Sequence, residues 1–177
     1  MRKLLNSELD RKTVEQFKKS KKSPFIIVLD NVRSQNNVGS IFRTSDAFLT
    51  RAIYLCGITA KPPHREIRKT ALGATESVEW KYFSKTIDAI KDLKEKGYRI
   101  IGVEQVEESI SLNDFKLDQD QKYALVFGHE INGVDQEIIN QCDSCIEIPQ
   151  FGTKHSFNIA IGVGIVLWEL NKSNCQE

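Results

Sequence analysis

The chain has 177 residues, 40% hydrophobic and 28% charged, with a formal net charge of +1. That length suits one domain with a real hydrophobic core, and the balance excludes disordered and fibrous classes. No apolar run is long enough to span a membrane and the N-terminus is too polar for a signal peptide, so a cytoplasmic protein is expected, with Cys56, Cys142, Cys145 and Cys175 reduced.

Residues 1–22 carry eight Lys/Arg against three acids, a local +5 that leaves −4 for residues 23–177. Such a basic arm, with Lys18 and Lys19 among its cations, is either a footprint for a polyanion or a solvated tail. Ser7-x-x-Asp10 resembles a capping box, and Leu9, Val14 and Phe17 offer a weak apolar face for a short helix. The expected organisation is the arm at 1–22, one domain at 23–172 and a C-terminal tail at 173–177.

Five apolar runs predict strands at 25–29, 52–56, 99–103, 122–127 and 145–148. They are almost continuously apolar, as strands covered on both faces are. Helical patterns fall at 38–49, 66–72, 86–96 and 134–141, with Lys96-Gly97 as a stop signal. Alternating strand and helix predicts a Rossmann-like α/β domain with a mainly parallel sheet. A last helix, from about Ser156 to Leu170, is apolar on nearly every side. It is therefore expected to be covered, by a second copy of the chain or by its own subunit, with Gly162 and Gly164 allowing close backbone approach.

Three polar loops follow strands, which is where an α/β fold gathers a site from distant segments. The first runs from Asn31 to Arg43. Asn37 is placed to cap the helix there, and Gly39 allows close approach. Val38, Ile41, Phe42, Ser45, Phe48 and Leu49 form its inward stripe. Arg43 lies roughly 140° from Val38 on that wheel, off the core face. It is either functional or a surface arginine paired with Asp46 or Glu130. The second loop, Gly128 to Gly133, sets glycines around Glu130, and reads as a ligand-facing turn or a plain one. His129 is expected to be structural or solvent-facing rather than a metal ligand. The third runs from Ile148 through Pro149 and Gly152, with Ser156 or Asn158 capping the last helix. Lys61, Arg65, Arg68 and Lys69 mark a basic, proline-bearing stretch that reads equally as a phosphate-contact surface or as solvated charge.

Other signals carry little. Cys142-x-x-Cys145 has metal-ligand spacing but no second pair, and the three histidines are scattered, so no metal is expected. Gly162-Val163-Gly164 lies inside a helix and no phosphate-loop motif is present, which disfavours a dinucleotide oxidoreductase.

Taken together, the three loops resemble the signature motifs of the SpoU/TrmH family, the RNA ribose 2′-O-methyltransferases of the SPOUT superfamily. The first motif matches through Asn31, Asn37, Gly39, Arg43, Thr44, Ala47 and Phe48; the second through Gly128, Glu130 and Gly133. The third matches through Ile148, Pro149, Gly152, Ser156 and Asn158. The resemblance spans residues 25–170. It implies a Rossmann-like sheet with a C-terminal deep trefoil knot, against the general rule that chains are unknotted. It also implies S-adenosyl-L-methionine as cofactor, with contacts at Val103, Glu104, Gly128, Ile148, Ser156 and Phe157, and a homodimer through the last helix.

In the same transfer Arg43 takes the catalytic arginine position, with Asn37, Glu130, Ser156 and Asn158 in the accompanying ones. The implied reaction is methyl transfer to a ribose 2′-OH of structured RNA, tRNA before rRNA, without a metal. An arginine stays charged up to ~12 and above, so Arg43 is better suited to binding phosphate and stabilising an alkoxide than to acting as a base. RNA contacts are expected from Arg43, Lys61, Arg65, Arg68 and Lys69, and from Lys18 and Lys19 of the arm. Gln150, Phe157 and Ile159-Ala160 depart from the family pattern, where methionine, leucine and Val-Ser are usual, and would retune the adenosine pocket. A non-catalytic RNA-binding protein of the same fold is the alternative.

Overall fold

A computed structural model describes residues 1–118 and 120–172; the tail expected at 173–177, with Cys175, lies outside the described residues. Seven strands form one sheet: β1 (Phe25–Asp30), β2 (Ala52–Cys56), β3 (Glu79–Phe83), β4 (Tyr98–Val103), β5 (Ile110–Ser111), β6 (Lys122–Phe127) and β7 (Ser144–Glu147). Their order is β3-β2-β1-β6-β4-β7-β5, and every pairing is parallel. β1 is buried at all six positions because its alternate side chains enter two separate cores. Phe25, Ile27 and Leu29 face one side; Ile26 and Val28 face the other.

The first side is covered by α2 (Gln35–Ala47), α3 (Arg65–Ala71), α4 (Ala74–Ser77) and α7 (Ile159–Asn171), and the second by α5 (Thr86–Glu95) and α6 (Gln136–Ile139). On α2 the residues Val38, Ile41, Phe42 and Ser45 are buried as their spacing predicts, with Phe48 and Leu49 half-buried. Gly39 faces α3, where a Cβ would stand 2.4 Å from the Ile67 carbonyl oxygen. α7 lies parallel to α2. Asn158 meets Asn37, Gly164 faces Thr44, and the Trp168 ring stands edge-on to Phe48 with centroids 6.4 Å apart.

Several expectations are corrected. β3 was not predicted, because Glu79, Lys81 and Tyr82 of this edge strand are exposed and carry no apolar run; two-residue β5 is too short to leave a pattern. Within its own subunit α7 is covered on one side only, which overturns burial wholly by its own subunit: Ile159, Val163, Val166, Leu167 and Leu170 are buried, but Ile161 and Trp168 are 57% and 60% exposed. Its glycines make only ordinary contacts, a Cβ at Gly162 standing 3.7 Å from Ile148, so neither is needed for close approach within the subunit. The basic arm contains a helix, α1 (Val14–Lys19), but its capping box is Thr13 with Gln16 rather than Ser7 with Asp10. Buried Phe17 anchors that helix to the first core.

Candidate active site

The three polar loops meet at the C-terminal ends of β1, β6 and β7. The first is fixed before it reaches the site. Asp30, almost fully buried, accepts hydrogen bonds from Thr86 Oγ1 (2.5 Å), Asn31 Nδ2 (3.0 Å) and the Asp135 amide (3.1 Å). Thr59 Oγ1 accepts from the Val32 amide at 2.9 Å and donates to the Leu29 carbonyl at 3.1 Å. So braced, the loop turns the amides of Arg33 and Ser34 toward Glu130, at 3.0 and 2.9 Å.

Glu130 therefore sits as an anion at the start of α2, where free N–H groups favour negative charge. Burial works against its ionisation, but the Arg33 and Ser34 amides and the Asn37 side chain outweigh it and hold its pKa below the ordinary carboxylate value. Asn37 does not cap α2 as expected; Ser34 does, its hydroxyl accepting from the Asn37 amide at 3.3 Å. The Asn37 side chain is thereby released for other work. Its Nδ2 donates to Glu130 Oε1 at 3.2 Å, and its Oδ1 accepts from Asn158 Nδ2 at 3.1 Å. Asn158 Oδ1 in turn accepts from the Ala160 amide at 3.0 Å, capping α7. An ionised carboxylate only accepts, so Glu130 dictates the orientation of both amides. One polar chain joins all three loops.

The second loop closes tightly on itself. His129 and Gly133 exchange backbone hydrogen bonds of 2.9 Å in both directions. A Cβ at Gly128 would lie 2.0 Å from the Gly133 carbonyl carbon, so no other residue fits there without moving the backbone. Gly133 has φ +69° and would place a Cβ 2.2 Å from Glu104 Oε2. Glu104 fastens this loop to β4 by accepting from the Val134 amide at 2.9 Å. His129 braces the loop from within, its Nδ1 accepting from the Ile131 amide at 3.1 Å.

These loops enclose a cavity of about 330 Å³, and its walls include Val103, Glu104, Gly128, Ile148, Ser156 and Phe157, all six positions expected to contact a cofactor. A second cleft of about 490 Å³ lies across the His129–Ile131 segment, bounded by Arg33, Gln35, Asn36 and Glu66. Phe127, Ile148, Phe157 and Ile159 give the first cavity apolar wall, while Glu104, Glu147 and Gln150 bring polar groups to it. That mixture suits a nucleoside with a charged tail better than a purely apolar ligand.

Arg43 is exposed and lines neither cavity. It pairs with neither candidate: Asp46 accepts from the Ser77 hydroxyl, and Glu130 is occupied as described. Among the described residues it has no hydrogen bond or ion pair, and it occupies the outer arc of α2 between the edge facing α7 and the edge facing α3. Arg65, Arg68 and Lys69 are exposed on or beside that neighbouring helix, and Lys61 stands over the Tyr82 ring at 4.1 Å. Lys18 and Lys19 lie elsewhere, at the end of α1, which packs with α4 near the opposite ends of the strands. The predicted RNA contacts thus fall into two groups.

Sequence reasoning missed the Arg33 and Ser34 amides, because backbone donors leave no residue signature. It also missed Asp30, which reads as the last polar letter of a strand. Among the described residues no group of three or more His, Cys, Asp or Glu side chains could hold a metal ion. Burial pushes the Cys142 thiol up to about 12, a poor ligand or nucleophile at neutral pH.

The fold and the three converging loops define a class, and comparison with known proteins gives its family. The SpoU rRNA Methylase family matches residues 24–168, and the chain belongs to it. The chain is similar to the 23S rRNA (guanosine-2′-O-)-methyltransferase RlmB of Neisseria meningitidis, 29% identical over 84% of this chain and 58% of that protein. It is 28% identical to the tRNA (guanosine(18)-2′-O)-methyltransferase of Aquifex aeolicus, over 91% of this chain and 75% of that one. Among solved structures, an AdoMet-bound rRNA methyltransferase from Sinorhizobium meliloti superposes with a TM-score of 0.80 at 26% identity, covering 86% of this chain and 57% of that one. The chain spans little more than half the length of the rRNA relative.

Proposed function

We propose that the protein transfers a methyl group from S-adenosylmethionine to a ribose 2′-hydroxyl of structured RNA. The observation that carries this reading is the Glu130–Asn37–Asn158 chain, whose Glu130 lines a cavity that also takes in every position expected to contact the donor. The names of the relatives point the same way. We rank tRNA before rRNA as substrate; relatives named for each are similar to this chain. The proposed setting is the cytoplasm.

When bound, S-adenosylmethionine supplies an electrophilic methyl group on a sulfonium. Val103, Ile148 and Phe157 would hold its adenosine part, with backbone groups of the Gly128 loop meeting its polar edges. Glu130 is a fixed negative charge that orients Asn37, and through it Asn158. These two amides stand ready to position a sugar hydroxyl, and such positioning supplies much of a transfer enzyme's rate. The hydroxyl proton is given up to solvent water, and Arg43 binds the neighbouring phosphate and stabilises the charge this leaves on the 2′-oxygen, as a guanidinium fork suits. Ser156 lines the donor cavity and helps close it.

Two further features of the family belong to this proposal. The loops at 128–133 and 148–158 would thread as a deep trefoil knot. The exposed Ile161 and Trp168 on α7 would be covered by a second copy of the chain, which accounts for apolar side chains at those positions.

The test is to incubate the protein with unmodified RNA and methyl-labelled donor, then map the label. Label on a ribose 2′-oxygen supports the assignment. Label on a base overturns it.

A further inference from the structure

A second candidate binding surface lies at the opposite end of the sheet. Ile26, Ala52, Tyr98 and Lys122, at or next to the first residues of β1, β2, β4 and β6, border a groove of about 700 Å³. Five cations line the groove, Lys18 from α1, Arg51 before β2, Lys81 from β3, Lys96 after α5 and Lys122 from β6. All five are exposed. Glu76 and Glu79 also line it, leaving +3, and Asp92, which binds Lys96 at 2.5 Å, lowers this to +2. Lys18 belongs to the basic arm; without it the groove keeps +1, while residues 23–177 together carry −4. The groove is therefore a local reversal of the domain's charge, and the arm deepens it.

The edge position of β3 accounts for Lys81 alone, since lysine on an edge strand discourages sheet-to-sheet pairing. It does not account for Arg51, Lys96 or Lys122. The aromatic floor is already taken: Lys81 and Lys96 stand 5.8 and 5.9 Å from the centre of the Tyr54 ring, and Lys122 stands 5.5 Å from that of Tyr98. Both tyrosines are buried. Trp80, which also lines the groove, is half-buried and packs against the first core. The groove's charge is thus more accessible than its aromatic faces, which fits a phosphodiester backbone rather than an unpaired base.

We infer that this groove is a docking track for the backbone of the substrate RNA, about one strand length, roughly 20 Å, from the catalytic loops. The inference rests on the RNA-methyltransferase reading for the identity of the ligand. It also gives the basic arm a definite role. Phe17 anchors α1, and the anchored helix adds Lys18 to the track. A structured RNA is held at two places, and only a molecule large enough to span the side of the domain engages both.

The test compares wild type with an Arg51→Gln, Lys81→Gln, Lys122→Gln triple variant and with a charge-keeping Arg51→Lys, Lys81→Arg, Lys122→Arg variant. Binding of an unmodified tRNA transcript is measured across a salt series. The neutralised protein should bind at least tenfold more weakly, with a slope of log K against log salt about two units shallower, since each lost phosphate contact removes about 0.7–0.9. The charge-keeping variant should retain the wild-type slope, and all three should bind S-adenosylmethionine alike. An unchanged slope in the neutralised protein overturns the track, as does equal loss in both variants. Wild type that binds the transcript with this groove-dependent slope yet methylates no RNA would refute the enzymatic reading and leave the track standing.

Discussion

Asn37 and Asn158, 121 residues apart in the chain, are joined by a hydrogen bond of 3.1 Å at the point where α2 and α7 begin side by side. The two asparagines have different second duties. Asn37 supports Glu130, while Asn158 caps α7. That difference makes the network separable from the helix by mutation.

Asn158→Asp keeps a good capping residue, so α7 should lose little stability. An aspartate cannot donate to Asn37 Oδ1, and Asn37 cannot turn its amide without forfeiting Glu130. Methyl transfer should therefore fall by at least tenfold while the melting temperature moves only slightly. Asn158→Ala should lose both, with about 1 kcal/mol of stability lost as well. Parallel thermal melts and turnover measurements check this; wild-type turnover in Asn158→Asp beside a loss in Asn158→Ala would mean that the cap alone matters.

Glu130 has a pKa depressed in the folded protein, so it binds a proton less readily there than in the unfolded chain. Its contribution to stability is present above its unfolded pKa and is lost as pH falls through its folded value. Glu130→Gln should be less stable than wild type at neutral pH, and the gap should narrow on acidification below the ordinary carboxylate range. Urea denaturation over a pH series gives the measurement. A gap that widened toward acid would contradict the sign.

Gly128→Ala should abolish donor binding, because its methyl group would run into the backbone at Gly133. Gly39→Ala strikes a different place, the α2–α3 contact, where overpacking costs about 1–3 kcal/mol. It should lower thermal stability and leave donor affinity nearly intact in the folded fraction. Calorimetric titration with S-adenosylmethionine separates the two cases.

Arg43 is exposed and lies outside the donor cavity. Arg43→Ala should lower turnover on RNA by about 10²–10³, the usual cost of removing one transition-state donor, without changing donor affinity. Arg43→Lys should recover little, since a lysine lacks the planar fork. Near-complete recovery would show that a point charge suffices.

Trp168→Glu places a charge on the exposed strip of α7. If a second copy covers that strip, the variant should run as a monomer in light scattering where wild type runs as a dimer.

Much of this was legible in the sequence because burial on both faces writes strands as apolar runs: β2 and β6 fall where their patterns place them. β3 left no such run, being half-exposed at the sheet edge. Within the site, side chains announced themselves and backbone did not. Glu130 and Asn158 could be singled out by type and spacing, whereas the Arg33 and Ser34 amides depend on how Asp30, Asn31 and Thr59 hold one loop. Ser34 and Asn37 both suit the cap by residue type, and only the third dimension shows that Ser34 caps and Asn37 is needed elsewhere.

A crystal structure grown with S-adenosylmethionine tests the central claim most directly. The donor should occupy the cavity between Gly128 and Phe157, with its methyl group turned toward the Asn37–Asn158 pair. A donor bound anywhere else, or bound there with its methyl group sealed off from that pair, would contradict the account.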